Sequence, residues 1–351
     1  MTLSVNAHRL QRIAEIVRRE IEEENIPGAV VAVGRGEDTA YFEAFGYAEN
    51  VNGLTRQMTK ETVFDLASLT KVTATLPAVL SLVDDGDIRL NDPVALFIPE
   101  FTDASKGVVT VRHLLTHSAG LVPSRLFYEL FNTPEAITAA IRREGIGITP
   151  GVRTEYSDIG FMLLGEIVKA VSGLSLDQFA SERVFTQLGM SDTMFCPPPS
   201  TFARIAATEH GKVGIVHDEN AEALGGVSGH AGLFASMADL ISYVGMWLGH
   251  KPLLSFAVRR LAVQNHTPSL PGNRGLGWVC RHDAYDHTGD LWPETTVGHT
   301  GFTGTSLAFD PASGLWMIIL TNDVHYGRQK KAVIRLRHRL HNVAASAIRW
   351  E

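Results

Sequence analysis

Ser68 and Lys71 are the pair through which this chain could do chemistry. They lie three positions apart in Phe64-Asp65-Leu66-Ala67-Ser68-Leu69-Thr70-Lys71, directly before an apolar stretch, Val72 to Val83. On a helix that spacing puts both on one face, with Cβ atoms roughly 5–6 Å apart. A serine at a helix start has backbone N–H groups and the positive end of the helix dipole beside it. An amine one turn further on, its pKa lowered by desolvation, can remove or return the hydroxyl proton. Together they form an activated nucleophile with anion-stabilising donors nearby. Read alone, Ser68 could equally be an N-cap. No other lysine in the chain follows a serine by three residues.

The elements that must position this pair follow from periodicity and punctuation. His8 to Glu24 carries Leu10, Ile13, Ile16, Val17 and Ile21 at helical spacing, and Ile26-Pro27-Gly28 stops it. Gly28 to Gly34 and Thr39 to Tyr47 read as a strand pair about the turn at Gly36. Pro77 removes a backbone donor from the helix after Ser68 and predicts a kink near Thr73. Helices are expected at Val111 to Gly120, Pro134 to Arg143, Phe161 to Val171, Leu176 to Leu188 and Met237 to Leu248. Val297 to Asp310 and Leu315 to Asn322 read as two strands, and Lys330 to Trp350 as a basic amphipathic helix whose charged face is solvated.

Strands at both ends with helices between them predict an α+β fold, an α/β sandwich. Its antiparallel sheet, flanked by the N- and C-terminal helices, would receive an inserted all-helical domain. Residues 1–75 plus 270–351 would form the sheet domain and 76–269 the mainly helical one, with the active site in the cleft between them.

Composition narrows the classes. Hydrophobic residues at 45% and charged residues at 20% are ordinary for a globular protein. A net charge of −7 argues against a nucleic-acid groove. No apolar run approaches the roughly 18 residues of a membrane span. Two cysteines, Cys196 and Cys280, make no disulfide framework. The N-terminus lacks the basic and apolar regions of a secretory signal, so the chain reads as cytoplasmic. No sequence feature sets an oligomeric state.

Three segments resemble, in order and context, the penicillin-recognising serine hydrolases: Ser68-Leu-Thr-Lys71, Tyr156-Ser-Asp158 and His299-Thr-Gly301. The closest branch holds class C β-lactamases, D-alanyl-D-alanine carboxypeptidases, esterases and D-aminopeptidases. His113-Leu-Leu-Thr-His-Ser-Ala-Gly-Leu121, Leu163-Leu-Gly-Glu166, Leu188-Gly-Met-Ser-Asp-Thr193 and Gly229-His-Ala-Gly-Leu-Phe234 support the likeness. The resemblance implies a β-lactamase/transpeptidase-like fold and an acyl-enzyme on Ser68. Tyr156 would shuttle protons with Lys71, either of them serving as the base. His299 would orient the substrate from a sheet-edge strand. Asp158, Thr300, Gly301 and Phe302 would border it, with the backbone N–H groups of Ser68 and Phe302 as the oxyanion hole. Tyr156 could instead be a core tyrosine. His287-Thr-Gly289 repeats the third motif, but no strand follows it.

Two departures matter. Asp158 stands where the family usually has asparagine, and would raise the Lys71 pKa and repel a carboxylate on the substrate. His299 replaces the lysine usual in β-lactamases, although histidine occurs in some D,D-peptidases and D-aminopeptidases of the family. The expectation is a hydrolase of small esters, D-amino-acid amides or D-amino-acid peptides that needs no cofactor or metal. A D,D-carboxypeptidase or weak β-lactamase is the alternative. Two other classes stay open: a metallohydrolase built on His117, His217, Asp218, Glu219 and His230, and a non-catalytic penicillin-binding module.

Overall fold

The computed structural model describes residues 5–348 except 52, 103–105, 252 and 329–331. A seven-stranded antiparallel sheet is built from the two ends of the chain. Its strands are β1 (Gly28–Arg35), β2 (Asp38–Val51), β3 (Leu54–Gln57), β7 (Val279–Cys280), β8 (Val297–Thr300), β9 (Ser306–Phe309) and β10 (Leu315–Thr321), in the order β3-β2-β1-β10-β9-β8-β7. The central pair β1 and β10 runs from Ala29 opposite Thr321 to Arg35 opposite Leu315.

Alternation along these two strands makes two cores. Ala29, Val31 and Val33 of β1, with Leu315, Met317 and Ile319 of β10, face the terminal helices Ala7–Glu22 and Ala332–Ala347. Val30, Ala32, Trp316, Ile318 and Leu320 face inward, onto the helices of the middle of the chain. The C-terminal helix lies within the expected Lys330 to Trp350; residues 330, 331, 349 and 350 of that expectation fall outside the described residues.

The middle segment is mainly helical and also contributes β5 (Met194–Phe195) and β6 (Leu233–Ser236). These pair with β4 (Val63–Asp65) in a second, three-stranded sheet. Through it the strand leading to Ser68 is tied to the helical part, Asp65 lying opposite Phe234. Among the described residues no single helix is long and apolar enough to cross a membrane.

Two local features differ from the simplest expectation. The stretch from Val297 to Asp310 is two strands, β8 and β9, reversed through Gly301-Phe302-Thr303-Gly304. Gly304 sits at φ +115°, a conformation that a side chain disfavours. The disturbance from Pro77 takes the form of a π-turn over Lys71–Thr75, closed by the Leu76 N–H on the Lys71 carbonyl. In an unbroken α-helix the nitrogen of residue 77 would serve the Thr73 carbonyl, and proline has no hydrogen to offer. A regular helix, Leu76–Asp84, follows.

Candidate active site

The site is assembled where β4 runs into the helix start. Ala67, the residue before the serine, has φ +45°, which for a side-chain-bearing residue costs about 1–2 kcal/mol. The surroundings hold it there. Its N–H donates to Asp65 Oδ1 at 2.8 Å, and Asp65 Oδ2 accepts the His217 N–H at 2.6 Å. Burial raises the Asp65 carboxyl pKa, with the two N–H groups opposing. Thr303 Oγ1 donates to the Asp65 carbonyl at 2.7 Å and Thr305 Oγ1 to the Leu66 carbonyl at 3.1 Å. The β8–β9 turn is thereby latched onto the strap that presents Ser68. Gly301 permits the approach, because a Cβ there would lie 2.3 Å from the Leu66 carbonyl oxygen.

Lys71 is fully buried at 0% exposure, yet its ammonium donates two hydrogen bonds and is ion-paired with a carboxylate. Nζ lies 3.0 Å from Ser68 Oγ, 3.1 Å from the His230 carbonyl and 2.7 Å from Asp158 Oδ1. Burial works to lower the amine's pKa, but the Asp158 carboxylate, aided by Tyr156, outweighs it and leaves the net shift upward. Lys71 therefore rests as an ammonium ion that donates to Ser68.

Tyr156 completes this group. Its ring centroid is 4.9 Å from Lys71 Nζ, 4.6 Å from the His117 ring and 6.0 Å from the His299 ring. Burial raises the phenol's pKa, against the pull of Lys71 and Ser68. His117 fixes the segment from below. Its carbonyl accepts the Glu155 N–H at 2.7 Å and its Nδ1 accepts the Ser157 N–H at 3.1 Å. Ser157 caps the helix Asp158–Ser172, which places Asp158 at the positive end of that helix, beside Lys71.

His299 closes the cleft from the end of β8. Strand β7 pairs only with Val297 and Gly298, so the strand is an open edge at His299 and Thr300. Nδ1 of His299 donates to the Thr300 carbonyl at 2.9 Å, which leaves Nε2 unprotonated. Nε2 is buried and has no partner among the described residues. Burial, reinforced by Lys71 and Arg274, pushes this imidazole down to about 3, so it is neutral. The second copy, His287, packs instead against the His341 ring at 5.4 Å.

Ser68, Tyr156, His299, Thr300, Gly301 and Phe302 all border one cavity of about 310 Å³. Among the described residues, the backbone N–H groups of Ser68 and Phe302 donate to no other protein group. Phe302 is 58% exposed at the rim, and its ring stacks on His217 at 5.8 Å. A larger cavity, about 540 Å³, lies beyond Gly229 among Glu100, Arg142 and Glu166 and does not border Ser68.

The histidines and acids considered for a metal are dispersed into pairs. His230 Nε2 meets Asp218 Oδ1 at 2.9 Å, His217 meets Glu209 at 3.3 Å, and His117 lies under Tyr156. Among the described residues no three such side chains gather into a metal-ligating group.

Sequence reasoning missed Arg274, Tyr285 and Arg337, which line the same cavity. Arg274 stands in Asn273-Arg-Gly-Leu-Gly-Trp278, a stretch whose spacing signals nothing.

The chain matches the family model described as Beta-lactamase over residues 13–341. A protein of Escherichia coli (strain K12) named "Putative D-alanyl-D-alanine carboxypeptidase" is 30% identical, over 91% of this chain and 83% of its own. Two solved structures share the fold. The octameric penicillin-binding protein homologue from Pyrococcus abyssi is 24% identical, with a TM-score of 0.72 over 89% of this chain and 73% of its own. EstCE1, a hydrolase with promiscuous acyltransferase activity, is 23% identical, with a TM-score of 0.77 over 96% and 99%.

Proposed function

We propose that this chain, which belongs to the beta-lactamase family of serine hydrolases, cleaves small esters or D-amino-acid amides through an acyl-enzyme on Ser68. The observation that carries the reading is the contact of Lys71 Nζ with Ser68 Oγ at 3.0 Å, in one cluster with Tyr156 and Asp158.

Ser68 Oγ attacks the substrate carbonyl, and the carbonyl oxygen takes up negative charge between the N–H groups of Ser68 and Phe302. One such donor is worth about 3 kcal/mol in the transition state. The serine proton leaves through the Lys71 and Tyr156 pair and reaches the departing alkoxide or amine. Water then attacks the ester on Ser68 and regenerates the hydroxyl. With Lys71 charged and Tyr156 a phenol at rest, the pair must shed one proton before it can accept another. Activity accordingly rises toward alkaline pH.

The relatives named as D-alanyl-D-alanine carboxypeptidases favour a second reading, hydrolysis of a D-alanyl peptide. Penicillin turnover is at best weak under either. Intact-protein mass spectrometry with p-nitrophenyl acetate and with benzylpenicillin tests the proposal. An acyl adduct is expected on the native protein and none on Ser68→Ala. Turnover that survives Ser68→Ala, or fast and complete penicillin hydrolysis, contradicts it.

A further inference from the structure

Ser68 also borders a second, smaller cavity of about 160 Å³, lined by Ala67, His217, Asp218, Glu219 and Ala231 but by neither Tyr156 nor His299. Phe302 and Arg328 line this cavity and the larger one of about 310 Å³, so they form the partition between the two. The pair of cavities divides the substrate at the bond that Ser68 attacks. A departing alkoxide or amine takes its proton from the Lys71 and Tyr156 pair, and of the two cavities Tyr156 lines only the larger. The leaving group therefore occupies the larger cavity, and the acyl group that stays on Ser68 occupies the smaller.

Arg328 is held in place as a wall of that smaller cavity. It follows β10 in the chain, whereas its partners belong to the middle segment. Nε donates to Glu209 Oε2 at 2.6 Å, and Nη2 donates to Glu219 Oε1. Glu209 Oε2 also meets His217 Nε2 at 3.3 Å. His217 is buried, stacks on Phe302 and donates its N–H to Asp65 Oδ2. A lone exposed ion pair would hold such a side chain only weakly. This guanidinium is gripped by two carboxylates, one of them anchored through His217 to the strap that presents Ser68.

We infer that Arg328, clasped by Glu209 and Glu219, is a specificity-determining residue that limits the length of the acyl group Ser68 can carry. This rests on the acyl-enzyme reading above and refines its substrate class on the acyl side. At about 30 Å³ for each water-sized group, a cavity of about 160 Å³ holds about five of them. Acetyl and butyryl chains fit within it. An octanoyl chain must push Arg328 aside and part it from both carboxylates. Without such a wall, added methylenes would be favourable, because each removes apolar surface from water. The two arrangements thus predict opposite trends with chain length. A peptide continuing from the acyl side meets the same wall, which favours small esters and amides over long D-alanyl peptides.

The test uses p-nitrophenyl acetate, butyrate and octanoate, uncharged esters that share one leaving group and differ only in acyl length. In the native enzyme kcat/KM is expected to fall about tenfold or more from butyrate to octanoate. Arg328→Ala should raise the octanoate-to-acetate ratio of kcat/KM by about tenfold or more. Glu219→Gln, which loosens one of the two grips, should give a ratio between that of the native enzyme and that of Arg328→Ala. Intact-protein mass spectrometry reads the same preference as the yield of acetyl and octanoyl adducts on Ser68. A native enzyme as fast on octanoate as on butyrate overturns the inference however the variants fold. So does a folded Arg328→Ala whose octanoate-to-acetate ratio stays native. Equal adduct yields from acetate and octanoate sink the length limit alone, whereas an adduct from neither ester sinks the acyl-enzyme reading and the length limit with it.

Discussion

Replacing Asp158 with asparagine isolates the charge that decides the state of Lys71. The carboxylate oxygen stands 2.7 Å from Nζ. At that distance and an effective dielectric of about 20, the direct attraction is roughly 6 kcal/mol. Asp158 is 24% exposed, and water reaching it screens the pair. Allowing about half for this leaves about 3 kcal/mol. Since the carboxylate raises the lysine pKa, its removal lowers it, and burial then acts unopposed by Asp158 in the same direction. The alkaline limb of kcat/KM for p-nitrophenyl acetate should move to lower pH in Asp158→Asn. At pH 7 the rate should rise about tenfold, because the greater share of free base is partly offset by its weaker basicity. Stability provides a second readout. A lysine whose folded pKa is raised stabilises the fold below its unfolded pKa, and that contribution is lost as pH rises through the folded value. Asp158→Asn should therefore unfold more easily at pH 7, with the gap to the native protein closing above pH 10.5. An alkaline limb that stays in place or moves up, with the variant folded, refutes the reading that Asp158 holds the proton which the Lys71 and Tyr156 pair must shed.

Other consequences can be checked alongside it. Gly301→Ala puts a Cβ 2.2 Å from Thr305 Oγ1 and 2.3 Å from the Leu66 carbonyl, so the β8–β9 turn must lift off the Ser68 strap. A loss of about 1–3 kcal/mol in stability is expected, with acylation falling further than the melting temperature suggests. His299, at about 3 against an ordinary 6.5, should show no NMR titration between pH 5 and 8. Its unfolded form binds a proton that the folded form refuses between those values, so its share of stability is lost as pH falls from 6.5 toward about 3. Asparagine at 299 should remove part of that acid sensitivity, as followed by denaturant midpoints at pH 4 and pH 7.

The spacing of Ser68 and Lys71 was readable because three residues on a helix fix a shared face whatever the rest of the chain does. Strand alternation in β1 and β10, and the apolar periodicity of the terminal helices, were legible for the same reason: local geometry repeats with a fixed period. The reversal at Gly301 to Gly304 was overlooked because the apolar run either side of it resembles one continuous strand. What holds that turn is distant in sequence, since Thr303 and Thr305 reach back to the carbonyls of Asp65 and Leu66.

By itself the sequence determined the pairing of Ser68 with Lys71 three residues beyond it, and a sheet made from the two ends of the chain. Tertiary structure alone decided the electrostatics of the cleft. Lys71 stays charged because Asp158 is folded to 2.7 Å from it, and His299 is neutral because it is buried beside other cations. Arg274 faces the same cavity with two donors unspent. Charge at a site depends on distance and desolvation between residues far apart along the chain, and no local period encodes either.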